Sequence, residues 1–162
     1  MKRVYSVWVE NRSGVLSKVA GLFSRRSFNI DSLTVGETQD PTISSMTITS
    51  SGTGRDMEQI EKQLNKKLDV IKVRTFPEED AILREVILLK IKYGRNDRRE
   101  IMEICEVLKA DIVDASSTHL IIHMCDTPEK ISKLLEMLHK FNIVEVSRTG
   151  TLAMLKCSDG DN

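Results

Sequence analysis

Hydrophobic positions along this chain change period several times, and each change marks an element. Val4 to Glu10 is a short β-branched and aromatic run, which predicts a strand. Asn11-Arg12-Ser13-Gly14 interrupts it. Val15, Leu16, Val19, Leu22 and Phe23 then fall on one face of an α-helix. Arg25 and Arg26 follow in its last turn, where cations complement the C-terminal dipole. Phe28 to Thr38 predicts a second strand, Gln39-Asp40-Pro41-Thr42 a turn, and Ile43 to Thr49 a third strand alternating apolar with Ser and Thr. Gly52-Thr53-Gly54 breaks the chain before a second helix. That helix carries Met57, Ile60 and Leu64 on one face, with Glu58 and Lys62 as an i,i+4 pair. Asp69 to Phe76 predicts the closing strand.

The same order recurs in the second half. Glu85 to Tyr93 predicts a strand, Gly94-Arg95-Asn96 a break, and Ile101, Ile104, Cys105 and Leu108 a helix face. Ala110 to Ser116 and Thr118 to Cys125 predict two strands. Thr127-Pro128 gives an N-cap followed by proline at the first helical position, and Ile131, Leu134, Leu135 and Leu138 continue that helix. Ile143 to Arg148 and Thr151 to Lys156 predict the last strands. The fold class is therefore α+β: two ferredoxin-like βαββαβ units, each an antiparallel sheet with its helices on one face. The expected boundaries are 1–76 for the first unit, 77–83 for an acidic linker, 84–157 for the second unit and 158–162 for a polar tail. Helices on one face leave the other face and the sheet edges in need of partners, so oligomerisation is expected.

Composition narrows the class. The chain has 162 residues, 40% hydrophobic and 30% charged, which suits a globular protein and excludes a disordered one. No apolar run approaches the ~20 residues of a bilayer span, and no secretory leader pattern opens the chain. Its 24 basic and 24 acidic residues cancel, which removes the electrostatic footprint of a general nucleic-acid binder. With one Trp, two Tyr and four Phe, a base-stacking platform is absent as well. Cys105, Cys125 and Cys157 are odd in number and far apart, which predicts reduced thiols and a cytoplasmic location.

Candidate chemistry is sparse. His119, His123 and His139 sit in no nucleophile–base motif. His119, His123 and Cys125 share one face of a predicted strand, but strand neighbours converge poorly on a metal, so they read as ordinary strand residues. Gly52-Thr53-Gly54 lacks the Lys-Ser/Thr of a phosphate loop. The informative stretch is Asn11 to Ile30. Gly14 lies where a strand hands over to a helix, so unpaired N–H groups near Gly14, Val15 and Leu16 would attract a carboxylate. Asn11 and Asn29 bracket that helix, and each amide can both donate and accept, as a zwitterionic ligand requires. The alternative is that Asn11 and Ser13 cap the helix while Asn29 turns the chain.

The run from Asn11 to Val35, NRSGVLSKVAGLFSRRSFNIDSLTV, closely resembles the amino-terminal ACT domain of the acetolactate synthase (acetohydroxyacid synthase) small-subunit family. Met46-Thr47-Ile48 and Ile60-Glu61-Lys62-Gln63-Leu64 resemble it too, and the likeness extends more weakly over the second half. The resemblance implies a regulatory subunit without an active site or cofactor of its own. It implies a catalytic large-subunit partner that carries thiamine diphosphate and Mg, with FAD as a further candidate. It also implies a homodimer through the ACT domain, with valine (or leucine or isoleucine) as feedback effector. By match to the family motif, Asn11, Gly14, Val15 and Leu16 of one chain would face Asn29 and Ile30 of another, with Ser13 and Ser17 supporting the pocket. The chain departs from the family pattern at Ser45, where arginine is common, and at Gly36, where alanine is usual. The alternatives are a free-standing amino-acid-binding ACT regulator of another enzyme and an RNA-binding ferredoxin-like module.

Overall fold

Strand β1 (Lys2–Glu10) takes the centre of the first sheet because both of its faces can be buried, with Val4, Tyr5, Val7 and Val9 at most 1% exposed. The computed structural model describes residues 2–157, so the expected tail at 158–162 lies outside the described residues. Around β1 the chain forms α1 (Val15–Arg25), β2 (Ser32–Glu37), β3 (Ile43–Ser51), α2 (Gly54–Asn65) and β4 (Val70–Pro77). The strands run antiparallel in the order β2-β3-β1-β4, so β2 and β4 are the two edges. Tyr5, Val7, Val9, Met46 and Ile48 face Val15, Val19, Leu22 and Phe23 of α1 and Ile60 and Leu64 of α2, forming the core. Tyr5 meets Phe23 edge-on at 6.3 Å, and burial pushes its phenol up to about 12.

Both helix ends in this unit have local causes. Thr53 caps α2 in a reciprocal box: its hydroxyl accepts from Asp56 N–H while Asp56 Oδ2 accepts from Thr53 N–H at 2.9 Å. At the end of α1, Ser27 adopts φ 56° in the left-handed region. Phe28 N–H donates to the Phe23 carbonyl and Ser27 N–H to the Ser24 carbonyl, which together make a Schellman closure. That closure explains why β2 starts at Ser32 rather than at Phe28. Phe28 and Ile30 turn inward onto the core instead of pairing, while Ser50 Oγ donates to the Asn29 carbonyl at 2.7 Å.

The remaining elements are a 3₁₀ turn (Glu78–Asp80), β5 (Ala81–Lys92), α3 (Arg98–Leu108), β6 (Asp111–Ala115), β7 (His119–Asp126), α4 (Pro128–Leu138), β8 (Asn142–Arg148) and β9 (Leu152–Leu155). The expected linker at 77–83 is therefore no free connector. Its first residue ends β4, the next three make the 3₁₀ turn, and Ala81 already belongs to a twelve-residue strand. Ala81, Leu83, Glu85, Ile87, Leu89 and Ile91 are all buried in strict alternation. Glu85 sits in the apolar phase and hides that alternation in the sequence. Its carboxylate, in a residue 3% exposed, receives Arg148 Nε at 2.5 Å and Nη2 at 2.9 Å.

In space the chain divides into two units, one running up to Ile82 and resuming from Thr151, the other Leu83–Gly150. The expected second unit, 84–157, runs past this spatial division at Gly150, while β9 pairs with β5. Thr151 accounts for the division. It is buried, its N–H donates to Ser32 Oγ at 3.2 Å, and its carbonyl accepts from Thr34 Oγ1 at 3.4 Å. Ser32 Oγ in turn lies 2.7 Å from Thr49 Oγ1. Lys156 N–H donates to the Asp80 carbonyl at 2.9 Å. The returning chain thereby lies on the Ser/Thr-rich face of the first sheet, where Ser6, Thr47 and Thr49 are buried. The second unit has strand order β6-β7-β5-β8, with Ile87, Leu89, Ile91, Leu120, Ile122 and Met124 packed on Ile101, Ile104, Ile131, Leu134 and Leu138.

Candidate functional site

The β1–α1 turn is built so that the helix start stays open. Gly14 is the N-cap with φ 85° and ψ −10°, a left-handed conformation that glycine adopts without steric cost. A Cβ placed on it meets nothing within 4 Å. No side chain caps α1, which corrects the reading of Asn11 and Ser13 as helix caps. Val15 N–H reaches the Arg12 carbonyl at 3.4 Å and Lys18 N–H the Gly14 carbonyl at 3.1 Å. Leu16 and Ser17 N–H lie between them with no acceptor among the described residues. The first turn of α1 also contains no acidic residue, unlike α2, α3 and α4. Two free donors at the positive end of a helix suit an anion.

The Asn11 side chain is anchored by its amide nitrogen alone. Its Nδ2 donates to Glu37 Oε1 at 3.1 Å and to the Pro41 carbonyl at 2.8 Å, tying the turn to the β2–β3 hairpin. Asn29 Nδ2 donates to Asp31 Oδ1 at 2.9 Å, and Asp31 Oδ2 accepts from Ser51 Oγ at 2.6 Å. Both amides face acceptor-only groups, so chemistry fixes their orientation and leaves each Oδ1 as the outward acceptor. Asp69 braces the turn from the other side. Lys18 Nζ reaches its Oδ2 at 2.7 Å and Arg12 Nη2 its Oδ1 at 3.3 Å, while Glu10 N–H donates to its carbonyl. The Lys18 hydrogen bond, more than any other neighbour, holds the Asp69 carboxyl below the usual carboxylate range.

Of the sequence-predicted residues, Asn11, Ser13, Gly14, Val15, Leu16 and Ser17 gather at the start of α1, while Asn29 and Ile30 follow its end. Val15 is buried in the core, Leu16 is 44% exposed, Ile30 is half-buried, and Asn29, Ser13 and Ser17 are exposed. A helix of 11 residues separates the two groups by roughly 16 Å at ~1.5 Å per residue, too far for one amino acid to touch both in a single chain. The residues that sequence reasoning missed are those that hold the amides and the turn: Asp31, Glu37, Pro41 and Asp69. Glu37, Pro41 and Asp69 reach the site from other elements, beyond any spacing signal, while Asp31 stands two residues from Asn29 and reads as an ordinary loop acid. Elsewhere, His119 and His123 lie on the outer face of β7. His119 Nδ1 is 2.8 Å from Thr118 Oγ1 and His123 Nδ1 is 3.9 Å from Asp111 Oδ2. Among the described residues no group of three or more His, Cys, Asp or Glu could hold a metal ion. No helix among them is long and apolar enough to cross a membrane.

Comparison with known proteins places the chain in a family. The acetolactate synthase (AHAS) small-subunit-like ACT domain matches residues 5–72, and the small subunit of acetolactate synthase family matches residues 84–157. The chain is 43% identical to the "Probable acetolactate synthase small subunit" of Methanothermobacter thermautotrophicus over 96% of this chain and 93% of that one. It is 41% identical to the acetolactate synthase small subunit of Haemophilus influenzae over 95% of each. The crystal structure of the Thermotoga maritima small subunit superposes with a TM-score of 0.91 at 35% identity, covering 98% of this chain and 99% of that one. Two ferredoxin-like units, an ACT domain in the first, and full-length similarity to these relatives lead to one assignment: the chain belongs to the acetolactate synthase small-subunit family of regulatory subunits.

Proposed function

We propose that this chain binds the thiamine-diphosphate-dependent catalytic subunit of acetolactate synthase in the cytoplasm, raises its activity, and lowers it when valine binds. The effector lies between the first units of two copies. The observation that carries the reading is the open start of α1: an uncapped helix, no acid in its first turn, and a left-handed glycine facing empty space. The effector carboxylate takes the free N–H groups of Leu16 and Ser17. Its ammonium is received by the Oδ1 atoms of Asn11 and, from the second copy, Asn29. Leu16 and Ile30 offer apolar contact to the aliphatic side chain, and leucine and isoleucine are the competing effectors. The separation of the two half-sites along α1 favours a pocket shared between copies, because each chain supplies only one half to any one ligand. Ser13 and Ser17 support the pocket rim.

Reconstitution tests this reading. Pyruvate condensation by the catalytic subunit, with thiamine diphosphate and Mg supplied, is measured with and without this chain and across a valine titration. The expected result is activation by the chain and inhibition by valine only when the chain is present. Activation without any response to a branched-chain amino acid would refute the effector half of the proposal.

A further inference from the structure

We propose that the free edge of the first sheet, strand β4 with the turn that leads into it, docks an extended acidic segment of the catalytic subunit. This rests on reading the chain as a regulatory subunit, and it assigns the contact surface that reading leaves open. The sheet has two edges, and they are chemically different. The β2 edge follows directly from Asn29 and Ile30, one half of the proposed effector site. The β4 edge is spare, and its outer backbone groups have no neighbouring strand. An edge of that kind recruits an extended segment by main-chain hydrogen bonds, with side chains setting the choice of partner.

The side chains along it specify an acidic, partly apolar partner. Lys66, Lys67, Lys72 and Arg74 are clustered here in a chain whose 24 basic and 24 acidic residues cancel. None of the four makes an ion pair among the described residues, and four basic groups fall within nine residues of chain along one sheet edge. The acid nearest in sequence, Asp69, is taken by Lys18 and Arg12. Lys72 Nζ and the Arg74 guanidinium each lie 5.8 Å from the centre of the Trp8 ring, which holds both cations in place on the outer face of the sheet. Leu68 is 95% exposed, and the bond from Val70 N–H to the Lys67 carbonyl makes it the second residue of a tight turn. Proline or a polar residue serves that position better, so this leucine adds nothing to the chain's own fold. Ile71, 54% exposed, extends the apolar strip.

The test is an activation titration of the catalytic subunit with the full chain, with the double variant Lys72→Glu/Arg74→Glu, and with Leu68→Ser. The double variant is expected to raise the half-activating concentration by about tenfold or more and to flatten its salt dependence. Leu68→Ser is expected to raise it about threefold with no loss of fold, since the side chain is almost wholly exposed; it carries the test if the charge reversal unfolds. Valine binding to each isolated variant, followed by calorimetry, is expected to stay at the wild-type value. An unchanged half-activating concentration in Leu68→Ser and in the folded double variant would overturn the proposal and leave the cations as protection against edge-to-edge pairing. Binding of the wild-type chain to anionic vesicles, with activation unaffected by either variant, would overturn it in favour of a lipid surface. A wild-type chain that does not bind the catalytic subunit at all would overturn the regulatory reading itself, and this surface with it.

Discussion

The two units repeat one order of elements, yet they treat the start of the first helix in opposite ways. In the first, the strand-to-helix turn ends in Gly14 at φ 85°, and α1 begins with no cap and no acid. In the second, Asp97 stands at the N-cap of α3 without capping it, its Oδ2 instead accepting from Gly94 N–H at 2.8 Å, and Glu100 follows in the first turn. A carboxylate resides at the second helix start, while the first lacks one. The outer sheet faces differ as well. In the first unit Thr151 and the chain after it cover a Ser/Thr-rich face. The outer face of the second sheet keeps Leu88 45% exposed and Cys125 exposed. The same topology thus leaves the first helix start without an acidic group in one half and places carboxylates there in the other. The differences lie at the turns and on the outer sheet faces.

The largest expected effect comes from making the first unit resemble the second. Gly14→Asp places a resident carboxylate at the start of α1. Aspartate tolerates the left-handed region better than most residues, and its Cβ would enter open space, so the fold is expected to survive. In the proposed site the effector would lose two charge-assisted hydrogen bonds at ~1.5–3 kcal/mol each, expected to weaken binding by about two orders of magnitude or more. Valine inhibition curves with circular dichroism as folding control decide it; an unchanged midpoint in a folded variant removes this helix start from the site.

A second substitution addresses the other half. Arg148→Met strands the Glu85 carboxylate in a residue only 3% exposed. Because Arg148 itself is 40% exposed, we expect a loss somewhat below the ~3–5 kcal/mol of a fully buried broken pair, about 2–3 kcal/mol. Thermal melting is expected to show this loss while the valine midpoint holds. Ser32→Ala tests the cover over the first sheet. It leaves the Thr151 N–H without its acceptor in a residue 4% exposed and is expected to cost ~1–3 kcal/mol. Trp8, the single tryptophan, lies in the first sheet and reports that unit's unfolding by fluorescence. An unaltered Trp8 transition would mean that Thr151 is not a structural anchor.

Acid is expected to separate the units further. Thr42 holds Asp40, Thr53 holds Asp56 and Lys18 holds Asp69 below the usual carboxylate range, all in the first unit. In the second unit only Asp126 is so held, by the Thr127 N–H. A carboxyl depressed in the folded state stabilises it fully above the unfolded value of about 3.9, and that contribution is lost as pH falls through the lower folded value. The first unit therefore loses more of its stability below about pH 4. Trp8 fluorescence is expected to change at a less acidic pH than the far-ultraviolet dichroism of the whole chain; coincident transitions would count against the asymmetry.

Most elements are legible in the sequence because their periods are clean and their breaks carry Gly, Pro or Asn. Where sequence and structure differ, a distant partner is the commonest cause. Glu85 reads as the start of a strand because its apolar-phase position makes sense only with Arg148, 63 residues on. Thr151 reads as part of the second unit because its partners are Ser32 and Thr34. Phe28 to Asp31 reads as extended because hydrophobicity alone does not distinguish a strand from a loop that folds inward. In the candidate site, Gly14 and the two asparagines are legible as residue types. The direction of each amide is not, since Glu37, Pro41 and Asp31 set it.

The smallest expected effect probes a feature the units share. Ser27 closes α1 at φ 56°, and Lys109 closes α3 at φ 57°. Ala110 N–H donates to the Cys105 carbonyl at 2.8 Å and Lys109 N–H to the Glu106 carbonyl at 3.2 Å, the same Schellman pattern as at Ser27 and Phe28. Neither residue is glycine, so each carries the crowding of a Cβ in the left-handed region, roughly 1–2 kcal/mol. Glycine relieves that strain but costs about 0.5–1 kcal/mol in unfolded-chain entropy, so each replacement is expected to stabilise by a net ~0.5–1 kcal/mol. Lys109→Gly acts in the second unit and should leave valine binding untouched. Ser27→Gly lies two residues before Asn29, whose amide is held by Asp31 rather than by the helix end. Chemical denaturation and valine calorimetry on both variants check the pair. Equal stabilisation with unchanged valine affinity fits a site fixed by Asp31; a Ser27→Gly variant that gains stability but loses affinity would show that the closure of α1 itself positions Asn29.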